Sequence, residues 1–137
     1  MKYLVDTNVC VDFLNGRYPS VLEHWRRVSP DDLWVSSVAI AELRYGADKS
    51  RRASRNHKNL DRFLEEVQCA MFDIDAAREF GRIRSGLERR GTPIGPYDTM
   101  IAAHALSLGC VLVTDNQREF ERIEGLKLEN WRLPVQR

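Results

Sequence analysis

The stretch KYLVDTNVCVDFL, Lys2 to Leu14, decides the fold. Lys2 to Val5 is short and largely apolar and reads as a β-strand. Asp6-Thr7-Asn8 then offers side chains that can cap a helix, and the apolar-periodic run from Val9 to Leu14 supplies that helix. A second stretch, Cys110 to Thr114, is apolar without alternation, as in a strand buried on both faces, and it too runs directly into an acid, Asp115.

Between these two stretches the pattern repeats. A short helix is expected over Val21 to Val28 and a turn at Ser29-Pro30-Asp31-Asp32. A strand follows at Leu33 to Val35, then a helix capped by Ser36 or Ser37 that runs to about Tyr45 and stops at Gly46. Ser50 to Val67 reads as a polar helix with apolar stations at Leu60, Phe63, Leu64 and Val67, and Ala76 to about Arg90 as another. The Gly/Pro-rich RGTPIGP, Arg90 to Pro96, is a loop leading into a dense apolar helix, Tyr97 to Leu108, closed by Gly109. Leu126 to Leu128 is a weaker strand. Apolar strands separated by helices predict an α/β, three-layer architecture with a mainly parallel sheet covered on both faces.

Bulk properties narrow the function classes. The 137 residues suit a single domain over residues 1–137. Hydrophobic residues at 43% and charged residues at 30% describe an ordinary globular chain, and no apolar run approaches bilayer length. With an aspartate too early for a secretory leader, the expected location is the cytoplasm, with no membrane association. Cys10, Cys69 and Cys110 are widely spaced in apolar sequence and are expected as reduced core residues. A net charge of only +1 gives no global signature of nucleic-acid binding, so a polyanion must be held by local patches.

Ligands of open parallel sheets bind beyond the carboxyl ends of the strands. Asp6 and Asp115 stand at two such ends. Glu42 has Val38, Ala39, Tyr45 and Gly46 one turn away, an apolar setting for a carboxylate. Asp98 opens the apolar helix behind Pro96. Taken singly, Asp6 and Asp98 are also ordinary helix-start acids, and Glu42 an acid paired with an arginine. Taken together, acids sharing one small site repel one another, and a divalent cation relieves that repulsion. Oxygen ligands without histidine or cysteine suit Mg²⁺ or Mn²⁺, with hydrolysis at phosphorus as the chemistry.

These segments resemble the PIN-domain nucleases, in particular the VapC-type toxins of bacterial toxin–antitoxin pairs. The resemblance rests on LVDTNVCVDFL (Leu4 to Leu14), VSSVAIAELRYGA (Val35 to Ala47), IGPYDTMIAAHAL (Ile94 to Leu106) and LVTDNQREFERIEGLKLENW (Leu112 to Trp131). It implies a PIN domain with Asp6, Glu42 and Asp98 as catalytic metal-site acids; the metal is expected on Asp6, Asp98 and, from its place at a strand end rather than from the resemblance, Asp115. Thr7, Asn8, Thr114 and Asn116 would shape the site. The fourth acid is either Asp115, at a position where many members of the family carry a neutral residue, or Glu119, where an acid is common among them, the two expected to lie one turn apart on a short helix. The resemblance further implies an endoribonuclease that cuts structured RNA, tRNA in particular, by metal-activated water. The implied partners are a second copy in a homodimer and a VapB-type antitoxin whose C-terminal segment lies across the active site.

Lys49, Arg51, Arg52, Arg55, Lys58 and Arg62 form a basic stretch that is either a solvated helix face or a contact for RNA or antitoxin. Arg89 and Arg90 beside the Gly/Pro loop are similar. His24, His57 and His104 are assigned structural roles, and Trp25, Trp34 and Trp131 core or interface roles. Two other readings remain open at this point. One is a nucleic-acid-binding module acting in a DNA-associated complex with its antitoxin, its nuclease site vestigial. The other is a phosphatase using the same metal logic.

Overall fold

The computed structural model describes residues 1–136, and all five of their strands form one parallel sheet of order β3-β2-β1-β4-β5. In chain order the elements are β1 (Tyr3–Val5), α1 (Thr7–Leu14), α2 (Pro19–Arg27), β2 (Leu33–Ser36), α3 (Ser37–Lys49), α4 (Ala53–Glu65), β3 (Gln68–Ala70), α5 (Ile74–Arg89), α6 (Pro96–Leu108), β4 (Val111–Val113), α7 (Gln117–Phe120) and β5 (Leu128–Glu129). The chain steps outward from β1 to β2 and β3, then crosses back to place β4 on the other side of β1. Right-handed crossovers put α1 to α4 on one face and α5 and α6 on the other, so β1 and β4 flank the switch point of a doubly wound sheet. Their register pairs Val5 with Val113, which brings the residues that follow each strand to one rim.

Burial explains the strand character. Leu4, Val5, Leu112 and Val113 are inaccessible to solvent, because the central strands are covered on both faces. Against one side Phe13 stacks on Trp25, and Trp25 also meets Phe63 and the edge of Trp131. That aromatic group anchors the C-terminal segment, which is tied again to α2 by the Ser20 hydroxyl donating to the Arg132 carbonyl and His24 Nε2 donating to that of Leu133. No helix among the described residues is long and apolar enough to cross a membrane.

Four features differ from expectation. The helix expected to stop at Gly46 continues to Lys49, because Ala47 is buried in register with Leu43 and Ala39, which outweighs the ~1 kcal/mol handicap of one mid-helix glycine. An unforeseen strand, β3, pairs with β2 at the sheet edge. Cys69 in that edge strand is exposed, so of the three free cysteines only Cys10 and Cys110 are core residues. The last strand lies at Leu128–Glu129 rather than Leu126 to Leu128, held by pairing with β4.

Gly109 closes α6 in the left-handed region, φ 68°, with its N–H returned to the carbonyls of Ala105 and Leu106. An added Cβ there meets nothing within 4 Å, so Gly109→Ala isolates the backbone penalty. Urea denaturation is expected to show a loss of about 1–2 kcal/mol with an unchanged m-value.

Candidate active site

Asp6 leaves β1 buried, and its backbone N–H continues the ladder to the Val113 carbonyl. Its Oδ1 accepts from the N–H of Val9 at 3.0 Å, so it both caps α1 and faces the rim. The Thr114 hydroxyl, buried at the end of β4, accepts from the N–H of Asn116 and donates to Asp6. Burial nevertheless dominates: the Asp6 carboxyl is pushed up to about 7, with the charges of Asp115 and Asp98 adding to the rise and the two hydrogen bonds opposing it.

The other acids arrive from separate elements. Glu42 is half-buried on α3, and its Oε1 accepts from the Thr7 hydroxyl at 2.8 Å, which links α3 to the start of α1. Asp98 is half-buried in the first turn of α6, where the helix dipole favours an anion. Its carboxyl is still pushed above the usual range, first by burial and then by the charges of Glu119, Glu42 and Asp115. Glu119 on α7 accepts from the Asn116 side-chain amide at 2.9 Å. All five carboxylates therefore lie within electrostatic reach of Asp6 or Asp98, on one rim. Asn8 is exposed beside them.

Asp115 differs from expectation. It precedes α7, which begins at Gln117, so it and Glu119 are not stacked on one helix. One of its oxygens, Oδ2, accepts from Arg132 Nη1 at 3.0 Å, and the other, Oδ1, is buried without a partner. The same arginine holds Asp12 through two more bonds, Nε to Oδ2 at 2.7 Å and Nη2 to Oδ1 at 3.1 Å. Sequence reading missed both Asp12 and Arg132. The oddity that singled out Glu42 also applies to Asp12, an acid between Val11 and Phe13 on an apolar helix.

Among the described residues, no three acidic, histidine or cysteine side chains are gathered closely enough to hold one ion by themselves. A hard cation such as Mg²⁺ keeps several waters and takes one or two carboxylates directly. The orphaned Asp115 Oδ1 and the mutual repulsion recorded in the raised Asp6 and Asp98 both fit a cation at this rim.

The remaining candidates stand elsewhere. His104 is buried, its Nδ1 2.8 Å from the Ser36 hydroxyl and its ring edge-on to Phe72, and burial holds its imidazole below the usual histidine range. Its contacts fasten α6 to the end of β2. Trp25 and Trp131 are core residues, whereas Trp34 is half-buried under the Lys2 ammonium. Arg51, Arg52, Arg55, Lys58 and Arg62 are exposed along α4 and the turn before it. A groove of about 350 Å³ between α1, α3 and α4, lined by Val11, Leu14, Asn15, Leu43, Asn56 and Leu60, opens beside Thr7 and Glu42.

The PIN domain family matches residues 3–126. The chain is 40% identical over 131 residues to the tRNA(fMet)-specific endonuclease VapC of Shigella flexneri, an alignment covering 96% of this chain and 98% of that protein. It is 37% identical over 132 residues to ribonuclease VapC2 of Rickettsia felis, with 96% and 98% covered. Among solved structures it is similar to DNA-bound VapBC from Salmonella typhimurium, with TM-score 0.90, 40% identity and 96% and 98% of the two chains covered. VapBC2 of Rickettsia felis, bound to a DNA fragment from its promoter, gives TM-score 0.90 at 36% identity, covering 96% and 99%.

Proposed function

This chain belongs to the PIN-domain family and is a ribonuclease, and from that premise we propose that it is a Mg²⁺- or Mn²⁺-dependent endoribonuclease toxin that cuts structured RNA, most specifically tRNA. The observation that carries the reading is the convergence of Asp6, Asp98 and Asp115 on the rim beside the β1–β4 switch point, with Glu42 and Glu119 completing the negative wall. The name of the Shigella flexneri relative supports tRNA as the RNA class.

Asp6, Asp98 and the free oxygen of Asp115 would hold the ion, directly or through water. When bound, it supplies Lewis acidity at the scissile phosphate and lowers the pKa of a water at neutral pH. The chain's own residues do the rest. The Val9 N–H and the Thr114 hydroxyl fix the direction of the Asp6 carboxylate, and the Thr7 hydroxyl fixes that of Glu42. An Asp6 carboxyl near neutrality in the metal-free protein exchanges its proton readily for a cation at physiological pH. Glu42 and Glu119, each held at one oxygen by a neighbour, are placed to orient water or accept its proton.

The partner in this reading is a VapB-type antitoxin, with the toxin itself a homodimer. The solved relatives are VapBC toxin–antitoxin assemblies, which supports the antitoxin. The mixed apolar and asparagine-lined groove beside Glu42 suits a segment of such a protein. The DNA-bound relatives also favour an assembly on DNA, but a purely DNA-associated role with a vestigial nuclease leaves the complete set of acids without a purpose. Purified protein incubated with tRNA and Mn²⁺ is expected to yield discrete fragments bearing 5′-phosphates, and chelation is expected to stop the reaction. Intact tRNA in the presence of Mn²⁺, or cleavage undiminished by chelator, defeats the proposal.

A further inference from the structure

Asp12, Tyr18 and Asp115 all meet the Arg132 guanidinium. Asp12 is almost fully buried on α1 and carries a charge that a domain interior tolerates only when paired. Its partner comes from 120 residues later: Arg132 grips it through Nε and Nη2, a two-pronged contact that fixes the plane of the guanidinium. The Tyr18 ring lies 4.5 Å from the guanidinium carbon, and the backbone around Arg132 is bound to α2 by Ser20 and His24. The third arm, Nη1, is thereby aimed at Asp115 Oδ2. A pinned Oδ2 leaves Oδ1 as the single free oxygen of that carboxylate, buried and unpartnered, on a group whose charge Asp6 and Asp98 both feel.

We propose that Arg132, held by Asp12, is a positioning residue that presents Asp115 to the active-site cation through one oxygen only. The inference rests on the metal-dependent reading above and deepens it by choosing between the two candidates for the fourth acid. Asp115 is the acid oriented for the ion, and Glu119, engaged with Asn116, serves water. Arg132 acts on Asp115 by direction rather than by charge. A lysine keeps the charge but lacks the fork that serves Asp12 and Asp115 at once.

The test is calorimetric titration of Mn²⁺ into the full-length chain, with thermal unfolding followed in parallel. Asp12→Leu combined with Arg132→Met removes the ion pair without leaving an uncompensated charge in the interior. Its Kd for Mn²⁺ is expected to rise about 10-fold or more, the scale seen when a group orienting a metal ligand is lost. Asp115→Asn is expected to weaken binding by the same factor, and adding it to the double variant to weaken binding no further, since both act through one carboxylate. Arg132→Lys, which preserves a countercharge for Asp12 and serves if the double variant does not fold, is expected to bind Mn²⁺ as weakly as the double variant. Wild-type affinity in the double variant or in Arg132→Lys, tighter binding on loss of the cation, or multiplying effects of the two lesions would each overturn the inference. A wild-type chain that takes up no Mn²⁺ overturns the metal-dependent reading itself, and is distinguished by the wild-type titration alone.

Discussion

Asp98→Asn is expected to lower the rate of RNA cleavage on the order of 10³-fold, the scale of losing a group that stabilises charge in a transition state. The fold should not suffer. Asp98 is half-exposed, makes no capping hydrogen bond in α6, and sits among Glu119, Glu42 and Asp115, whose charges all oppose its own. Removing one member of a repelling group relieves strain in the metal-free protein, so its melting temperature should hold or rise while activity collapses. Asp6→Asn should behave alike, because the amide oxygen can still accept from Val9 and keep the cap. The measurement is single-turnover tRNA cleavage at saturating Mn²⁺ beside a thermal melt. A well-folded Asp98→Asn protein with full activity would remove the carboxylate cluster from the chemistry.

The second large effect appears without substrate. Because the folded chain holds the Asp6 proton more tightly than the unfolded chain does, the protonated form is the one that folding favours. The stabilising contribution is complete below the ordinary carboxylate range and is lost as pH rises through about 7. Asp98, shifted in the same direction, adds to the trend. For Asp6 alone the rise to about 7 corresponds to on the order of 4 kcal/mol. In chelator, urea unfolding should therefore give a stability that falls from pH 5 to pH 8, opposite to acid-sensitive domains. Saturating Mn²⁺ should flatten or reverse the fall, since the cation binds the deprotonated form. Asp6→Asn should remove most of the slope in chelator. A metal-free wild type equally stable across this window would contradict the electrostatic account of the site.

What could be read beforehand follows from which signals are local. Asp6 and Asp115 announce themselves because continuous apolar runs mark parallel strands and the next residue must lie at their carboxyl ends. Glu42 is visible from its apolar helical neighbours, although Tyr45 among them turns out to be exposed. Strand β3 gives no such signal: it is three residues long, lies at an edge and turns Cys69 to solvent, so neither length nor alternation marks it. The end of α3 was hidden because burial of Ala47, a tertiary effect, overrides the local preference of Gly46. The Asp12–Arg132–Asp115 contact was invisible for a deeper reason. It joins the first helix to the last residues, and nothing in either segment names the other.

The sheet order has a consequence for how the protein comes into being. β1 is made first, yet its neighbour β4 is separated from it by most of the chain, and Arg132 comes later still. A nascent polypeptide emerging from the ribosome carries Asp6, Glu42 and then Asp98 without the strand that brings them to one rim. Parallel pairing over such a separation is slow to form and cannot begin before its second strand has been synthesised. Until β4 has been made and has paired with β1, Asp115 cannot join Asp6 at the rim, and on the proposed function the nuclease site stays unassembled.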